Sequence, residues 1–390
     1  MEICKKENCT GCYACVNSCA RNCINMCEDE LGVLHPVVDT EKCVECGACI
    51  RVCPANTTVS SSLPSKCYAV INDNKKEILT CATSGLGWMI SQYTLLNKGG
   101  VVFATLYDKQ MTPRITEIDN LADLERTKGS KYVQSIVGET TFQRIRELLK
   151  NNVSVTFIGT PCQVAGLKQF LKKDYANLLL VDLLCHGVVP TRYFKEELSH
   201  LSQQHQLKDI TDVRFRGNDG NNYILTIWGK DGDKIYSSRA YSQPYFSGFM
   251  IGTTLRENCF NCQYAKVERV GDLTIGDFIG LGATIPFEYE KENISFVSVN
   301  TPKGVENIER LRKHYTQLHF IERSYEERLV YANSLLKPTL RHPSVKKFRA
   351  LYPTHGYVQA IRSALKKELL WAQTKEKLIW LKPLVKLFKK

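Results

Sequence analysis

Cys9-Thr10-Gly11-Cys12-Tyr13-Ala14-Cys15-Val16-Asn17-Ser18-Cys19, repeated in pattern by Cys43-Val44-Glu45-Cys46-Gly47-Ala48-Cys49-Ile50-Arg51-Val52-Cys53-Pro54, is the stretch around which the chain is organised. Each run is C-x2-C-x2-C-x3-C. A tight loop with that spacing brings three thiolates to three corners of an iron–sulfur cubane and carries the fourth toward a neighbouring cubane. The expected 4Fe-4S ligand sets are therefore Cys9, Cys12 and Cys15 with Cys53, and Cys43, Cys46 and Cys49 with Cys19. Gly11 and Gly47 fall in the loops, where the backbone is expected to pass close to inorganic sulfide. Zinc fits poorly, because structural zinc sites close with four ligands, usually as two short hooks across a long gap. The first run ends Cys19-Ala20 where the second ends Cys53-Pro54, and Cys23 and Cys27 follow it closely, either as substitute ligands or as spare thiols.

Working outward, 390 residues suffice for two or three domains, and 43% hydrophobic content is that of an ordinary globular protein. Met1 to Thr10 is polar and charged rather than a secretory signal. No stretch approaches the roughly 20 apolar residues of a membrane helix. Seventeen cysteines without an export signal imply a compartment that keeps thiols reduced, so a cytoplasmic location is expected. The net charge of +12 is uneven. Residues 1–60 hold five basic against eight acidic residues, whereas residues 339–390 hold 13 basic against two acidic. An excess confined to one tail argues against nucleic acid and for an anionic surface, a partner or a solvated end.

Three segments follow: residues 1–60, a dicluster module; residues 66–335, a core; and residues 339–390, a basic, partly amphipathic helical tail. After a Ser-rich linker, Cys67 to Asn72 reads as a strand. Thr83-Ser84-Gly85-Leu86-Gly87 opens a helix that runs to about Asn97, and Val101 to Tyr107 is a strand. An amphipathic helix spans Thr141 to Lys150. Val153 to Ile158 and Leu178 to Leu184 read as buried parallel strands flanking a helix, and each delivers a cysteine at its carboxyl end, Cys162 and Cys185. Cys162 at a helix start is expected to favour a thiolate. Ile210–Arg216, Tyr223–Trp228 and Lys234–Ser238 form a meander with Gly- and Asp-rich turns; Phe296–Asn300 and Val305–Tyr315 are a strand and a helix. In the tail, Ile361, Leu365, Leu369 and Ala372 share one helical face, with Trp371, Trp380 and Phe388 beyond. That helix could pack on the body or make peripheral contact with a membrane.

Of the six cysteines after residue 60, Cys67 and Cys81 read as buried small hydrophobes in strands. Cys162, Cys185, Cys259 and Cys262 sit at turns. From spacing they are ligands of a third cubane, or Cys162 is a nucleophile beside His186, or Cys259 and Cys262 are a dithiol switch, or all are structural thiols.

Lys128 to Ser135, Gly159-Thr160-Pro161-Cys162-Gln163 with Gly166-Leu167-Lys168, Asp182 with Cys185-His186-Gly187, the Cys259/Cys262 pair and Thr274 to Phe278 together resemble the beta-subunit family of coenzyme F420 hydrogenase and dehydrogenase. The likeness covers most of residues 1–300. It implies an α+β or α/β fold, with a bacterial-type dicluster ferredoxin module in front of a mixed α/β flavin-binding core. It also implies FAD and a core 4Fe-4S cluster held by Cys162, Cys185, Cys259 and Cys262. By the same resemblance Ser84, Gly85, Ser130, Lys131, Tyr132 and Ser135 are flavin contacts, with Asp277 a further one. The family's Ser-Gly-Gly is here Ser84-Gly85-Leu86, and its Gly-Asp-Phe-Trp ends in Ile279.

Cubanes carry single electrons and a flavin carries two. The expectation is an oxidoreductase that relays electrons from ferredoxin or another redox subunit through clusters to FAD and a small-molecule substrate, or in reverse. Relatives in surface-polysaccharide loci suggest one setting. The alternative is a non-catalytic electron-transfer subunit. His186 and Tyr132 are candidate general acids, and the residues select neither.

Overall fold

The structure, a computed structural model, describes residues 1–218, 223–331 and 333–387. Phe388, the side chain of Trp380 and part of the turn expected over 217–220 lie outside the described residues.

The strands run in chain order as β1 (Ile24–Glu28), β2 (Leu34–Val38), β3 (Lys66–Asn72), β4 (Val101–Tyr107), β5 (Pro113–Ile118), β6 (Val155–Gly159), β7 (Leu178–Leu183), β8 (Asp212–Arg214), β9 (Ile224–Trp228), β10 (Lys234–Arg239), β11 (Leu273–Asp277), β12 (Ser295–Val299) and β13 (Leu318–Arg323). The first two form the antiparallel hairpin of the cysteine-rich module, paired from Ile24↔Val38 to Glu28↔Leu34. Flanking them, the short helices Ala14–Ser18 and Ala48–Arg51 each follow a residue in the left-handed region, Tyr13 (φ 64) and Gly47 (φ 68).

An eight-stranded mixed sheet, ordered β13-β3-β12-β11-β7-β6-β4-β5, spans the core. Its centre is parallel: β4 pairs β6, β6 pairs β7 and β7 pairs β11. The outer strands are antiparallel, so the sheet is mixed as the α/β expectation requires. Near-continuous apolar runs place β6 and β7 where both faces are covered. On one face lie helices Thr141–Lys150 and Pro161–Leu171, and over them the cysteine-rich module: Tyr13, Ala14 and Val16 share a core with Val164, Leu167 and Phe170. On the other face lie Leu86–Lys98 and Pro302–His314.

A second core joins the antiparallel meander β8–β10 to helices Thr191–His205, Pro244–Ile251 and Ser344–Ala364. Ser344–Ala364 breaks at Gly356 (φ 67) and buries Phe348, Tyr352 and Tyr357. The next helix, Lys366–Leu387, buries Leu369 and Ala372 and leaves Trp371 exposed. Among the described residues no helix is long and apolar enough to cross a membrane. Cys67 is a buried strand residue, but Cys81 is not in a strand: it caps the short helix Lys75–Thr80, where Gly85 packs against its sulfur.

Candidate electron-transfer site

Cys9, Cys12, Cys15 and Cys53, all buried, line one small cavity. Three come from the first loop and the fourth arrives from the end of the second run. Burial pushes the Cys12 thiol up to about 12 and Cys15 higher still, while the neighbouring Cys4 thiol holds Cys9 and Cys53 below the ordinary thiol value. Gly11 turns the loop at φ +66, and a Cβ there would stand 2.5 Å from Gln134 Nε2. A left-handed backbone and the close approach of the core both call for glycine here. Cys4 also lines the cavity, beside Cys9 and Cys53. Sequence reading passed over it because it precedes the repeat.

In the second set Cys49 is buried, Cys19 and Cys43 are half-buried and Cys46 is exposed. Cys23 Sγ lies 3.3 Å from Cys19 Sγ and its thiol also reaches Cys43. Cys27 is exposed on β1. Of the two candidate substitutes, the fold brings Cys23 to this set.

The parallel strands position the third set. Cys162 follows β6 at the start of helix Pro161–Leu171, with Thr160 Oγ1 3.2 Å from its sulfur, and Cys185 follows β7. Cys259 and Cys262 come from the turn Glu257–Asn261 and its exit. The four are close enough to raise one another's pKa values. Burial pushes Cys162 up to about 12 and Cys259 to about 11, which outweighs the expected benefit of the helix start. Among the described residues no three His, Cys, Asp or Glu side chains converge to hold a single metal ion. The first and third sets adjoin. Gly166, one turn after Cys162, lies against Cys12, where a Cβ would stand 3.0 Å from the sulfur, and Gln263 Nε2 donates to the Pro54 carbonyl at 3.0 Å.

The residues assigned to flavin lie mostly around the carboxyl ends of the parallel strands, and the fold gives them internal partners. Ser84 hydrogen-bonds Ser295 at 2.7 Å, beside Gly85 at the start of helix Leu86–Lys98. Asp277, ending β11, accepts from Arg216 at 2.8 Å and Tyr223 at 3.0 Å; Arg216 also reaches the Tyr132 hydroxyl. Tyr132 stacks on Phe249 with centroids 4.5 Å apart. Ser130 holds a left-handed backbone (φ 48), and Ser135 bonds Thr105 at 2.8 Å. The Lys131 ammonium donates to the Arg126, Thr127 and Lys128 carbonyls at 3.0–3.4 Å, and burial pushes it down to about 8. Lys131 therefore caps a turn and does not project toward a ligand. Two arginines were not legible as neighbours of Asp277. Arg216 is one; the other is Arg328, buried, within electrostatic reach of Asp277 and without partners for Nε and Nη1. His186 bonds the Phe249 carbonyl at 3.2 Å, and burial lowers its pKa. Asp182 is wholly buried against Arg269 at 2.6 Å and the Gly271 N–H at 2.8 Å, a structural ion pair.

Residues 8–57 match the 4Fe-4S dicluster domain, and residues 153–323 match the model for the C terminus of the coenzyme F420 hydrogenase/dehydrogenase beta chain. The two matched segments lie in tandem, the dicluster segment first. No curated protein matches it. A chain in a structure of the F420-reducing NiFe hydrogenase complex from Methanosarcina barkeri is similar at 13% identity, over 81% of this chain and 94% of that one, with a TM-score of 0.45. The dicluster domain contributes the first two cysteine sets, and the beta-subunit domain contains all four cysteines of the third.

Proposed function

We propose that this chain is an iron–sulfur oxidoreductase in which three 4Fe-4S clusters and FAD connect a one-electron donor, ferredoxin or a redox subunit, to a small-molecule acceptor. The observation that carries this reading is the contiguity of the first and third cysteine sets: Cys12 abuts the helix that begins at Cys162. Cubanes supply one-electron steps and a flavin the two-electron step. Four buried thiols converging on one cavity suit an iron–sulfide core, whose iron would bind them as thiolates.

For FAD the support is the rim. Arg216, the unpartnered N–H groups of Arg328 and the start of helix Leu86–Lys98 suit an anionic cofactor, and Tyr132 and Tyr223 offer aromatic faces. Lys131 does not fit, since its ammonium is taken by carbonyls. That loss favours the second reading, a subunit that relays electrons without a flavin of its own. Anaerobic purification with iron, sulfide and flavin assays decides. The expected result is about twelve iron atoms, four per cubane, and one FAD per chain. Iron at that level without flavin selects the relay; colourless or zinc-loaded protein overturns both.

A further inference from the structure

Arg256 is 1% exposed and always charged, yet its hydrogen bonds all go to neutral oxygens. Nη2 donates to the Cys9 carbonyl at 2.8 Å, Nη1 to Gln134 Oε1 at 2.9 Å, both to the Leu34 carbonyl at 3.2 Å, and Nε to Asn258 Oδ1 at 3.1 Å. Among the described residues no carboxylate pairs with it. A buried charge without a counter-ion is among the costliest features a fold can carry. The nearest candidates for negative charge are sulfurs. Its side chain grips the loop of Cys9, and its main-chain carbonyl accepts from the Cys259 N–H at 3.1 Å.

We propose that Arg256 is a counter-charge shared by two clusters, the one on Cys9, Cys12, Cys15 and Cys53 and the one on Cys162, Cys185, Cys259 and Cys262, and that it sets their reduction potentials together. This rests on the cluster assignment above. A cubane held by four thiolates is net anionic and gains one further negative charge on reduction. A fixed cation therefore stabilises its reduced form more than its oxidised form and raises its potential. One cation placed between two clusters raises both, so it moves their potentials in the same direction and leaves the difference between them largely unchanged. The remaining cluster, on Cys19, Cys43, Cys46 and Cys49, is outside this arrangement.

The test is an EPR-monitored redox titration of the full chain, purified anaerobically, with Arg256→Gln and Arg256→Lys beside the wild type, and iron counted in each. In Arg256→Gln, reduction of two of the three clusters should become about tenfold less favourable, a fall of about 59 mV for a one-electron couple, while the third holds. Arg256→Lys, which keeps the charge and loses most of the bonds, should stay within about threefold of wild type. Loss of iron from both sets in Arg256→Gln with retention in Arg256→Lys also supports the proposal. Unmoved potentials, a uniform shift of all three clusters, or a Lys variant as impaired as the Gln variant overturns it. A wild type without iron overturns the cluster assignment itself, which is a different result.

Discussion

Single positions around the first cavity carry separable demands. Gly11 combines φ +66 with a Cβ direction blocked at 2.5 Å by Gln134, so Gly11→Ala incurs both backbone strain and a clash. A left-handed alanine alone costs roughly 1–2 kcal/mol; thermal melts of Gly11→Ala should show a lower midpoint, with the first cluster lost before the second. Cys4 and Cys53 both line the cavity, and the proposed crossed set takes Cys53. Iron analysis should find about eight atoms per chain in Cys53→Ser and about twelve in Cys4→Ser, at four per cubane; the reverse result would make Cys4 the ligand. Lys131 offers a test by pH. Burial holds its folded pKa near 8, below the usual 10.5, so between those values the unfolded chain binds more protons than the folded one. Stability in the wild type should therefore rise from pH 8 to 10.5 relative to Lys131→Met, with the difference flat below pH 8, as read by paired denaturation curves.

At the scale of elements, the parallel centre β6-β7-β11 carries Cys162 and Cys185 of the third set, and its anchor is the Asp182–Arg269 pair. Asp182 on β7 accepts from Arg269 and from the Gly271 N–H just before β11, with both charges almost wholly buried. Breaking such a pair from one side strands a buried charge, at about 3–5 kcal/mol. Asp182→Ala should thus lower the unfolding midpoint far more than an exposed substitution, and the double variant Asp182→Leu with Arg269→Met should recover much of the loss. These elements were largely legible. The apolar runs at 153–158 and 178–184, with a helix between, announced two buried parallel strands ending in cysteines, and the fold contains them as β6 and β7. Pairing that depends on distant partners was not legible. β5 and β13 alternate weakly and become strands because they edge β4 and β3. Helix Pro244–Ile251, apolar on all sides, carries no amphipathic period.

For the whole molecule, local spacing revealed which cysteines come in sets, but not that the module docks with its first set facing the third. That docking depends on Gly166 admitting Cys12, on Arg256 reaching 247 residues back to Cys9, and on Asn17 bonding the Gly138 carbonyl at 2.9 Å and the Phe142 N–H at 2.9 Å. Motif spacing says nothing of these pairings, because the contacts exist only in the folded chain. Tyr13, Ala14, Cys15 and Val16 are buried in the same core as Val164, Leu167 and Phe170, so the module is the outer layer over that sheet face and not a tethered carrier. A freely moving module and a docked one predict different behaviour of a chain lacking residues 1–57. If the module were tethered, the remainder would fold with unchanged solubility and melt as before. Since the apolar faces of helices Thr141–Lys150 and Pro161–Leu171 lose their cover, and large exposed apolar patches drive association, the shortened chain should aggregate or bind a hydrophobic dye strongly. Light scattering beside the full-length protein reads the difference. A monodisperse, dye-silent fragment would mean that the contact between Cys12 and the helix of Cys162 is not what holds the two cysteine sets together.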